Sequence, residues 1–221
     1  MSLAVISDTH LTDRFYPNKF NKLKSIIENA DTVVLNGDFW DGYRVDFDKF
    51  YKSKWNGLFP LLKSKKAIYI YGNHDKESFS DERRNEFCSI AAKRYTLNYA
   101  GKDITFEHGD EYVWKVDRML GLERPNRIVN LITEFFQAEM IKIFGVVAFG
   151  WLFGKMNNQI KSALRKMSEV NENAVYFFGH VHVAEVDMDN KFVNSGIFNY
   201  GYAQYVLVDK SGTIKPMNER Y

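Results

Sequence analysis

The chain has 221 residues, of which 45% are hydrophobic and 26% are charged; this composition excludes a disordered, collagen-like or low-complexity protein. Thirty Lys and Arg residues against 28 Asp and Glu leave a formal net charge of +2, which is too small to indicate non-specific nucleic-acid binding. The single cysteine, Cys88, cannot form an internal disulfide, which favours a reducing compartment. We therefore expect a cytoplasmic protein with no stable nucleic-acid partner.

In the first half of the chain, short apolar runs alternate with segments of helical periodicity. Each apolar run is long enough for a buried strand, and each is followed by a helical pattern. This alternation favours a largely parallel sheet flanked by helices. The predicted strands are Leu3–Ser7, Thr32–Leu35 and Ala67–Tyr71, and the predicted helices are residues 20–30, Phe47–Lys63, which Pro60 should bend or end, and a stretch from Ser80 or Asp81 to Lys93.

The second half is rich in short strands that are separated by turn residues. Ala100-Gly101 and Asp189-Asn190 are typical tight-turn signals, so we predict an antiparallel meander here. Residues 111–171 have helical periodicity instead, and we interpret them as a lid- or cap-like helical insert in a single domain of residues 1–221. The predicted strands are Arg94–Asn98, Asp103–Glu107, Ala174–Phe178, Glu185–Met188, Lys191–Asn194, Ala203–Asp209 and Thr213–Lys215.

The insert combines apolar and basic residues. Apolar residues recur at three- and four-residue steps across residues 128–154, and five basic residues but no acidic one lie between Met140 and Ser168. This composition is typical of a segment that contacts a membrane surface or lines an acyl pocket. A homodimer interface or packing on the body of the domain are alternatives. No stretch reaches the roughly 18 uncharged apolar residues of a membrane-spanning helix.

All five histidines of the chain lie within a few residues of the C-terminal end of a predicted strand. Open α/β sheets bind ligands in the loops at these strand ends. A lone histidine beside a glycine is more often a turn or surface residue, but chance would scatter five histidines into helices and tails as well. Imidazoles, carboxylates and one amide, without a thiolate, suit Mn, Fe, Zn or Ni. The motifs are Asp8-Thr9-His10, Gly37-Asp38, Gly72-Asn73-His74-Asp75, His108-Gly109-Asp110 and Gly179-His180-Val181-His182.

This ordered set of motifs strongly resembles the calcineurin-like metallophosphoesterase superfamily, whose pattern is D-x-H, G-D, G-N-H-[D/E], H and G-H-x-H. The resemblance covers residues 8–182. It implies a four-layer α/β/β/α sandwich, in which two mixed β-sheets are flanked by helices. The layout is similar to the UDP-2,3-diacylglucosamine pyrophosphatase-like branch, which shares the D-x-H-L block and a helical insert. Enzymes of that pathway usually have Arg where this chain has His74.

The resemblance also implies two divalent cations and a role for each motif residue. The first cation would take Asp8, His10, Asp38 and His182, and the second would take Asp38, Asn73, His108 and His180. Asp38 would bridge the two, and the pair would activate a shared water for attack at phosphorus. Manganese is the expected metal, with iron, zinc, nickel or magnesium as alternatives. His74 would be the catalytic general acid, and Asp75 would orient its ring.

We therefore expect a metal-dependent phosphohydrolase that cleaves a phosphate or pyrophosphate ester of a lipid-linked or nucleotide substrate. Three arginines that lead into the insert, Arg118, Arg124 and Arg127, could hold a second phosphate of the substrate, although a solvated helix face would have the same composition. One alternative is a nuclease or cyclic-nucleotide phosphodiesterase, which the near-neutral charge supports poorly. Another is a non-catalytic metal-bound scaffold, which should have lost ligands or the catalytic histidine.

Overall fold

The computed structural model describes residues 2–113, 127–167 and 173–221, and its strands form two sheets. The strands are β1 Leu3–Ile6, β2 Thr32–Asn36, β3 Ile68–Ile70, β4 Ile90–Ala92, β5 Arg94–Tyr99, β6 Lys102–Glu107, β7 Ala174–Phe178, β8 Glu185–Asp187, β9 Phe192–Asn194, β10 Tyr202–Val208 and β11 Ile214–Arg220. The α-helices are α1 Pro17–Asn29, α2 Phe47–Lys52, α3 Phe59–Ser64, α4 Arg127–Phe153 and α5 Asn157–Lys166.

The two sheets pack face to face between outer layers of helices. The first sheet has the order β11-β10-β1-β2-β3-β4, and the second has the order β5-β6-β7-β9-β8. Leu3 and Val34 of the first sheet share one apolar cluster with Phe106 and Phe177 of the second. The other face of the first sheet packs on α1–α3, and the other face of the second packs on α5. These layers confirm the predicted α/β/β/α sandwich with two mixed sheets.

The parallel core of the first sheet follows from its burial on both faces. β1, β2, β3 and β4 pair in parallel, and every residue of β1 is buried because helices cover one face and the second sheet covers the other. A continuous apolar strand is the composition that such two-sided burial requires. Parallel pairing also brings the C-terminal ends of β1, β2 and β3 to the same edge of the sheet.

The predicted antiparallel meander is wrong for the centre of the second sheet. β5 and β6 do form an antiparallel hairpin, and β8 pairs with β9 in the same way. However, β6 pairs with β7 in parallel, and β7 pairs with β9 in parallel. The chain between β6 and β7 contains the helical insert, so it is long enough for the crossover that parallel neighbours need. Local alternation of apolar residues does not distinguish these two arrangements.

Two predicted helices are broken. The segment from Ser80 or Asp81 to Lys93 contains a short 3₁₀ helix, Glu82–Glu86, and then β4, because its last apolar residues pair with β3 rather than continue a helix. The segment Phe47–Lys63 is divided at Ser53, which ends α2 and whose side chain caps the next 3₁₀ turn. Pro60 lies in the first turn of α3, where its missing N–H has no cost, so it starts a helix instead of ending one.

Within residues 111–171, the structure describes α4, the 3₁₀ helix Gly154–Met156 and α5. α4 contains a break at Gly145, whose φ of 78° and ψ of 168° are not helical. By length and composition, the helical stretch from Leu131 to Lys166 would suffice to cross a membrane. One side of α4 is nevertheless packed on the rest of the domain, because Ile141, Val146 and Phe149 share a buried cluster with Ile197 and Tyr202.

Candidate metal centre

The five motifs meet at one edge of the sandwich. They follow β1, β2 and β3 of the first sheet and β6 and β7 of the second. Backbone hydrogen bonds join the loops: the N–H of His10 donates to the Asp38 carbonyl at 2.9 Å, and the N–H of Gly179 donates to the His108 carbonyl at 3.0 Å. The His180 N–H donates to the Asp8 carboxylate, and this contact joins the loops of the two sheets, so the motif side chains lie together.

The first cluster of these side chains consists of Asp8, His10 and His182, whose ligand atoms all lie within 4.8 Å of one another. His182 Nε2 lies 3.0 Å from Asp8 Oδ1 and 3.2 Å from His10 Nε2. Asp8 has no exposed surface, and its carboxylate accepts from the His180 N–H. Two imidazoles and a carboxylate that converge in this way form a donor set for a divalent transition metal.

The second cluster consists of Asp38, His108 and His180, which meet the same distance criterion. Asp38 Oδ2 lies 3.1 Å from His108 Nε2 and 3.9 Å from His10 Nε2 of the first cluster. This oxygen is therefore placed between the two clusters, as a bridging carboxylate would be. The other carboxylate oxygen, Oδ1, accepts a hydrogen bond from the His74 backbone N–H at 2.8 Å, which holds the carboxylate in this orientation.

Two polar atoms of predicted ligand residues are buried without a hydrogen-bond partner. They are His10 Nδ1 and Asn73 Oδ1. Asn73 also lines a cavity together with His108, as expected for a ligand of the second cluster. Buried polar atoms are normally satisfied, so these atoms, in a set of imidazole, carboxylate and amide donors, fit two divalent cations. The seven predicted ligand residues are thus gathered at one place.

The backbone at these residues adopts an uncommon conformation. Nine non-glycine residues of the described chain have positive φ, and five of them are predicted ligands. Each such residue costs about 1–3 kcal/mol and persists where the surrounding structure requires it, most often at functional sites. The five are Asp8 (54°), His10 (45°), Asp38 (53°), His180 (65°) and His182 (62°).

The motif glycines allow the loops to approach the ligand side chains closely. A Cβ atom on Gly72 would lie 2.2 Å from Asp38 Oδ1, and a Cβ atom on Gly37 would lie 2.2 Å from His108 Nδ1. Gly37 also has a φ of 87°, which favours glycine. These two positions show why the motifs contain glycine next to the ligands: any larger residue would displace the carboxylate or the imidazole.

His74 is held by Asp41 and Glu134, which corrects the prediction that Asp75 orients it. His74 Nδ1 lies 3.2 Å from Asp41 Oδ1 and 3.6 Å from Glu134 Oε1, and its ring contacts the rings of His10 and Tyr43 edge to face. Both carboxylates face the same ring nitrogen, so Nδ1 is held as a donor and Nε2 is the atom left for chemistry.

Asp75 instead ties the motif loops together. Its carboxylate accepts hydrogen bonds from the backbone N–H groups of Asp38, Phe39 and Gly72 at distances from 2.7 to 3.0 Å. The physical reason for the difference is that the side chain of Asp75, which is fully buried, points into the loop backbone, where unsatisfied N–H groups need an acceptor. Asp75 therefore positions Asp38, and it has no contact with the His74 ring among the described interactions.

Two site residues lie on α4 and were not predicted. Glu134 contacts His74 and forms an ion pair with Arg44 at 3.3 Å, and the Gln137 side chain contacts His182 Nδ1. Asp41 and Arg44, which follow Gly37-Asp38 in the sequence, also belong to this group of contacts. Nothing in the sequence around Glu134 indicates a role, because its position depends on how α4 packs on the body.

The predicted phosphate-binding arginines cannot be placed. Arg118 and Arg124 lie outside the described residues, and Arg127 begins α4 but its side chain is outside them as well. In the described chain, the basic side chain of Arg44 lies near His74, because it forms an ion pair with Glu134.

The histidines of the site differ in pKa because their surroundings differ in burial and charge. Burial disfavours the charged form of His74, but the Asp38 charge, the Asp41 hydrogen bond and the Glu134 charge outweigh it and raise the pKa of His74 to about 9. Burial and repulsion from His108 lower the pKa of His180 to about 3. A neutral His180 suits a metal ligand, and a protonated His74 suits a proton donor at neutral pH.

The sequence profile of the calcineurin-like phosphoesterases matches residues 1–184, which is most of the chain. The chain belongs to this family. The match ends just beyond His182, so it covers all five motifs. As a calcineurin-like phosphoesterase, the protein is a phosphoric ester hydrolase with a site for divalent metal. None of the curated proteins matches the sequence.

Solved structures with the same fold include phosphoesterases and a trafficking protein. A novel archaeal phosphodiesterase matches with 18% identity and a TM-score of 0.50, over 99% of this chain and 100% of that chain. Yfce, a phosphoesterase from E. coli, matches with 15% identity and a TM-score of 0.51, over 98% of both chains. Vps29 from Entamoeba histolytica, complexed with Zn²⁺, matches with 13% identity and a TM-score of 0.50, over 100% of this chain and 99% of that chain. These similarities concern the fold of this calcineurin-like phosphoesterase.

Proposed function

We propose that the protein is a dinuclear metal-dependent hydrolase of phosphodiesters or pyrophosphate esters whose leaving group is apolar or aromatic. The observation that carries this proposal is the convergence of two clusters on Asp38, whose Oδ2 faces a histidine of each. One cation would be held by Asp8, His10, Asp38 and His182, and the other by Asp38, Asn73, His108 and His180. Manganese suits this donor set of nitrogen and oxygen atoms.

A cavity beside the metal centre supports the choice of leaving group. It has a volume of about 610 Å³ and is lined by residues of α4 and of the rest of the domain, among them His10. Arg14 and Arg44 supply positive charge to its wall, and Phe135 and Tyr200 supply aromatic surface. A cavity of this size accommodates a small organic group. Its mixed lining suits a second phosphate followed by an apolar or aromatic moiety, as in a lipid-linked or nucleotide pyrophosphate.

Bound metal and the residues around it would have different roles in the mechanism. Divalent cations bound at this site would supply an activated water and neutralise charge on the phosphoryl group. His74 donates a proton from Nε2 to the leaving oxygen, because Asp41 and Glu134 hold its Nδ1. Asp75 keeps Asp38 in place through the loop backbone. Arg44 reaches Glu134 and lines the cavity, so it can also meet a phosphate oxygen there.

A substrate panel tests the proposal. With added Mn²⁺, we expect hydrolysis of bis-p-nitrophenyl phosphate, of nucleoside diphosphate-sugars and of lipid pyrophosphates, with little activity on p-nitrophenyl phosphate. Chelation by EDTA should abolish the activity, and Mn²⁺ should restore it. Faster cleavage of single-stranded DNA or of cyclic nucleotides than of any pyrophosphate would contradict the proposed substrate class. A protein that binds metal but hydrolyses none of these esters would indicate a scaffold.

Glu134 allows a test of how the His74 proton is held. Replacing Glu134 with Gln removes a negative charge that faces His74 Nδ1, and this charge is one of those that raise the pKa of His74. His74 should then lose its proton at a lower pH than in the wild type. We therefore expect the alkaline limb of the pH profile of kcat to move to lower pH in Glu134→Gln. The same change at Glu28, on the remote helix α1, should leave the profile unchanged; identical profiles for all three proteins would contradict the assignment.

A further inference from the structure

A lysine is buried beside the metal centre and has no role in the mechanism given above. Lys19, in the first turn of α1, is only 3% exposed. Among the described residues no carboxylate pairs with it, and both acceptors of its amino group are neutral oxygen atoms. Lysine is almost never buried in this way unless it is paired with an acidic group, so its two contacts are informative.

The two acceptors of Lys19 belong to different loops. Its Nζ donates a hydrogen bond to the backbone carbonyl of Thr9, the residue between the predicted ligands Asp8 and His10. It also donates to Asn199 Oδ1 at 3.0 Å, in the loop between β9 and β10. The lysine therefore joins α1 to two loops, one of which carries two ligands of the proposed first cation.

The loop that carries Asp8 and His10 has a conformation that needs support. These two residues have φ values of 54° and 45°, and a non-glycine residue keeps a positive φ only where the surrounding structure requires it. The His10 N–H donates to the Asp38 carbonyl, and the Thr9 hydroxyl donates to the Phe39 carbonyl. Both contacts are made with the loop after β2. The amino group from α1 adds a third contact, at the Thr9 carbonyl in the middle of the loop.

The amino group of Lys19 can donate both hydrogen bonds without repelling a cation. Burial lowers the pKa of Lys19 to about 7, so most molecules carry an uncharged amine at pH 8. An uncharged amine retains two N–H groups, which is the number that Thr9 and Asn199 accept. A divalent cation nearby would favour this uncharged form further. The side chain is therefore suited to holding the loop rather than to neutralising phosphate charge.

We propose that Lys19 is a positioning residue for the first cation. Its two hydrogen bonds hold the loop in the conformation in which Asp8 and His10 converge on one metal ion. The inference rests on the proposed function, because it assumes that this cluster binds a divalent cation. Loss of the side chain should lower the affinity of the first site. The second site should keep its affinity, because its ligands lie on other loops.

Calorimetric titration of the full chain with Mn²⁺ at pH 8 tests this role. We expect two equivalents to bind to the wild type. Lys19→Met removes both donors and keeps the length of the side chain; it should weaken one equivalent about tenfold or more, the usual effect of losing a group that supports metal ligands. Lys22→Met is the matched control, since Lys22 lies one turn further along α1 and pairs with Glu219 of β11. Both affinities should remain unchanged in it.

A second variant keeps the test valid if Lys19→Met does not fold, which thermal unfolding in EDTA would show. Asn199→Leu leaves Lys19 with the Thr9 carbonyl alone, so it should weaken the same equivalent by a smaller factor. Anomalous diffraction at limiting Mn²⁺ identifies the weakened equivalent, and the reduced peak should be the one beside Asp8 and His182.

Three results would overturn the positioning role while the wild type binds two equivalents. They are wild-type affinity for both equivalents in Lys19→Met, equal weakening of both, and the same loss in Lys22→Met. A wild type that binds fewer than two equivalents would contradict the proposed function itself, and this inference with it.

Discussion

Asp38→Ala should lower kcat for phosphodiester hydrolysis by about a thousandfold or more, the largest loss we expect from any single substitution. Among the described residues, Asp38 is the predicted ligand whose side-chain oxygen faces a histidine of each cluster, at 3.1 Å from His108 Nε2 and 3.9 Å from His10 Nε2. Without it, neither cation would have its full set of ligands, and charge neutralisation at phosphorus, worth several kcal/mol, would be lost with the activated water. Steady-state kinetics with saturating Mn²⁺ measure the effect.

This experiment must distinguish a loss of catalysis from a loss of folding. Asp38 is buried, and its carboxylate also accepts the His74 N–H, so thermal unfolding of Asp38→Ala and of Asp38→Asn should be recorded beside the kinetics. Asp189→Ala, in the exposed turn between β8 and β9, is the matched control and should keep full activity. A folded Asp38→Asn protein that retains wild-type kcat would refute the bridging role.

His74→Ala should lower kcat by about 10²–10⁴-fold, the usual contribution of general acid catalysis. The loss should depend on the leaving group. An alkyl or phenyl ester needs a proton on its leaving oxygen, whereas p-nitrophenolate leaves readily without one, so the alkyl and phenyl esters should lose the most. Comparing kcat for the two classes of ester, in wild type and variant, measures this difference.

Metal content distinguishes a proton donor from a metal ligand in the His74 variant. The ring contacts His10 edge to face, but its Nδ1 faces Asp41 and Glu134 rather than Asp8 and Asp38, so we expect His74→Ala to bind as much Mn²⁺ as the wild type at the two proposed sites. If the variant loses one equivalent of metal, or if good and poor leaving groups suffer equally, His74 is not the general acid.

The convergence of the proposed ligand residues was predictable because sequence and topology agree at this site. Each ligand motif directly follows a strand, and parallel pairing of β1, β2 and β3 brings their ends together whatever the details of the loops. The motif glycines also indicate that these loops lie close together, since a side chain at Gly72 would collide with Asp38. For these residues, the sequence motifs and the pairing of the strands predict the same position at one edge of the sheet.

The partners of His74 were not predictable from the sequence. Asp75 and Asp41 both lie near His74 in the fold, and the direction in which the loop turns decides which of them reaches its Nδ1; the buried N–H groups of Asp38 and Gly72 take the Asp75 carboxylate instead. Glu134 comes from a helix with no motif. Contacts of this kind depend on tertiary packing, as does the parallel pairing of β6 and β7.

The most direct test of the central claim is anomalous diffraction from crystals grown with Mn²⁺. We expect two peaks about 3.5–4 Å apart, one on each side of the Asp38 carboxylate, with Asp8, His10 and His182 around the first and Asn73, His108 and His180 around the second. A single peak, or two peaks that do not share Asp38, would contradict it.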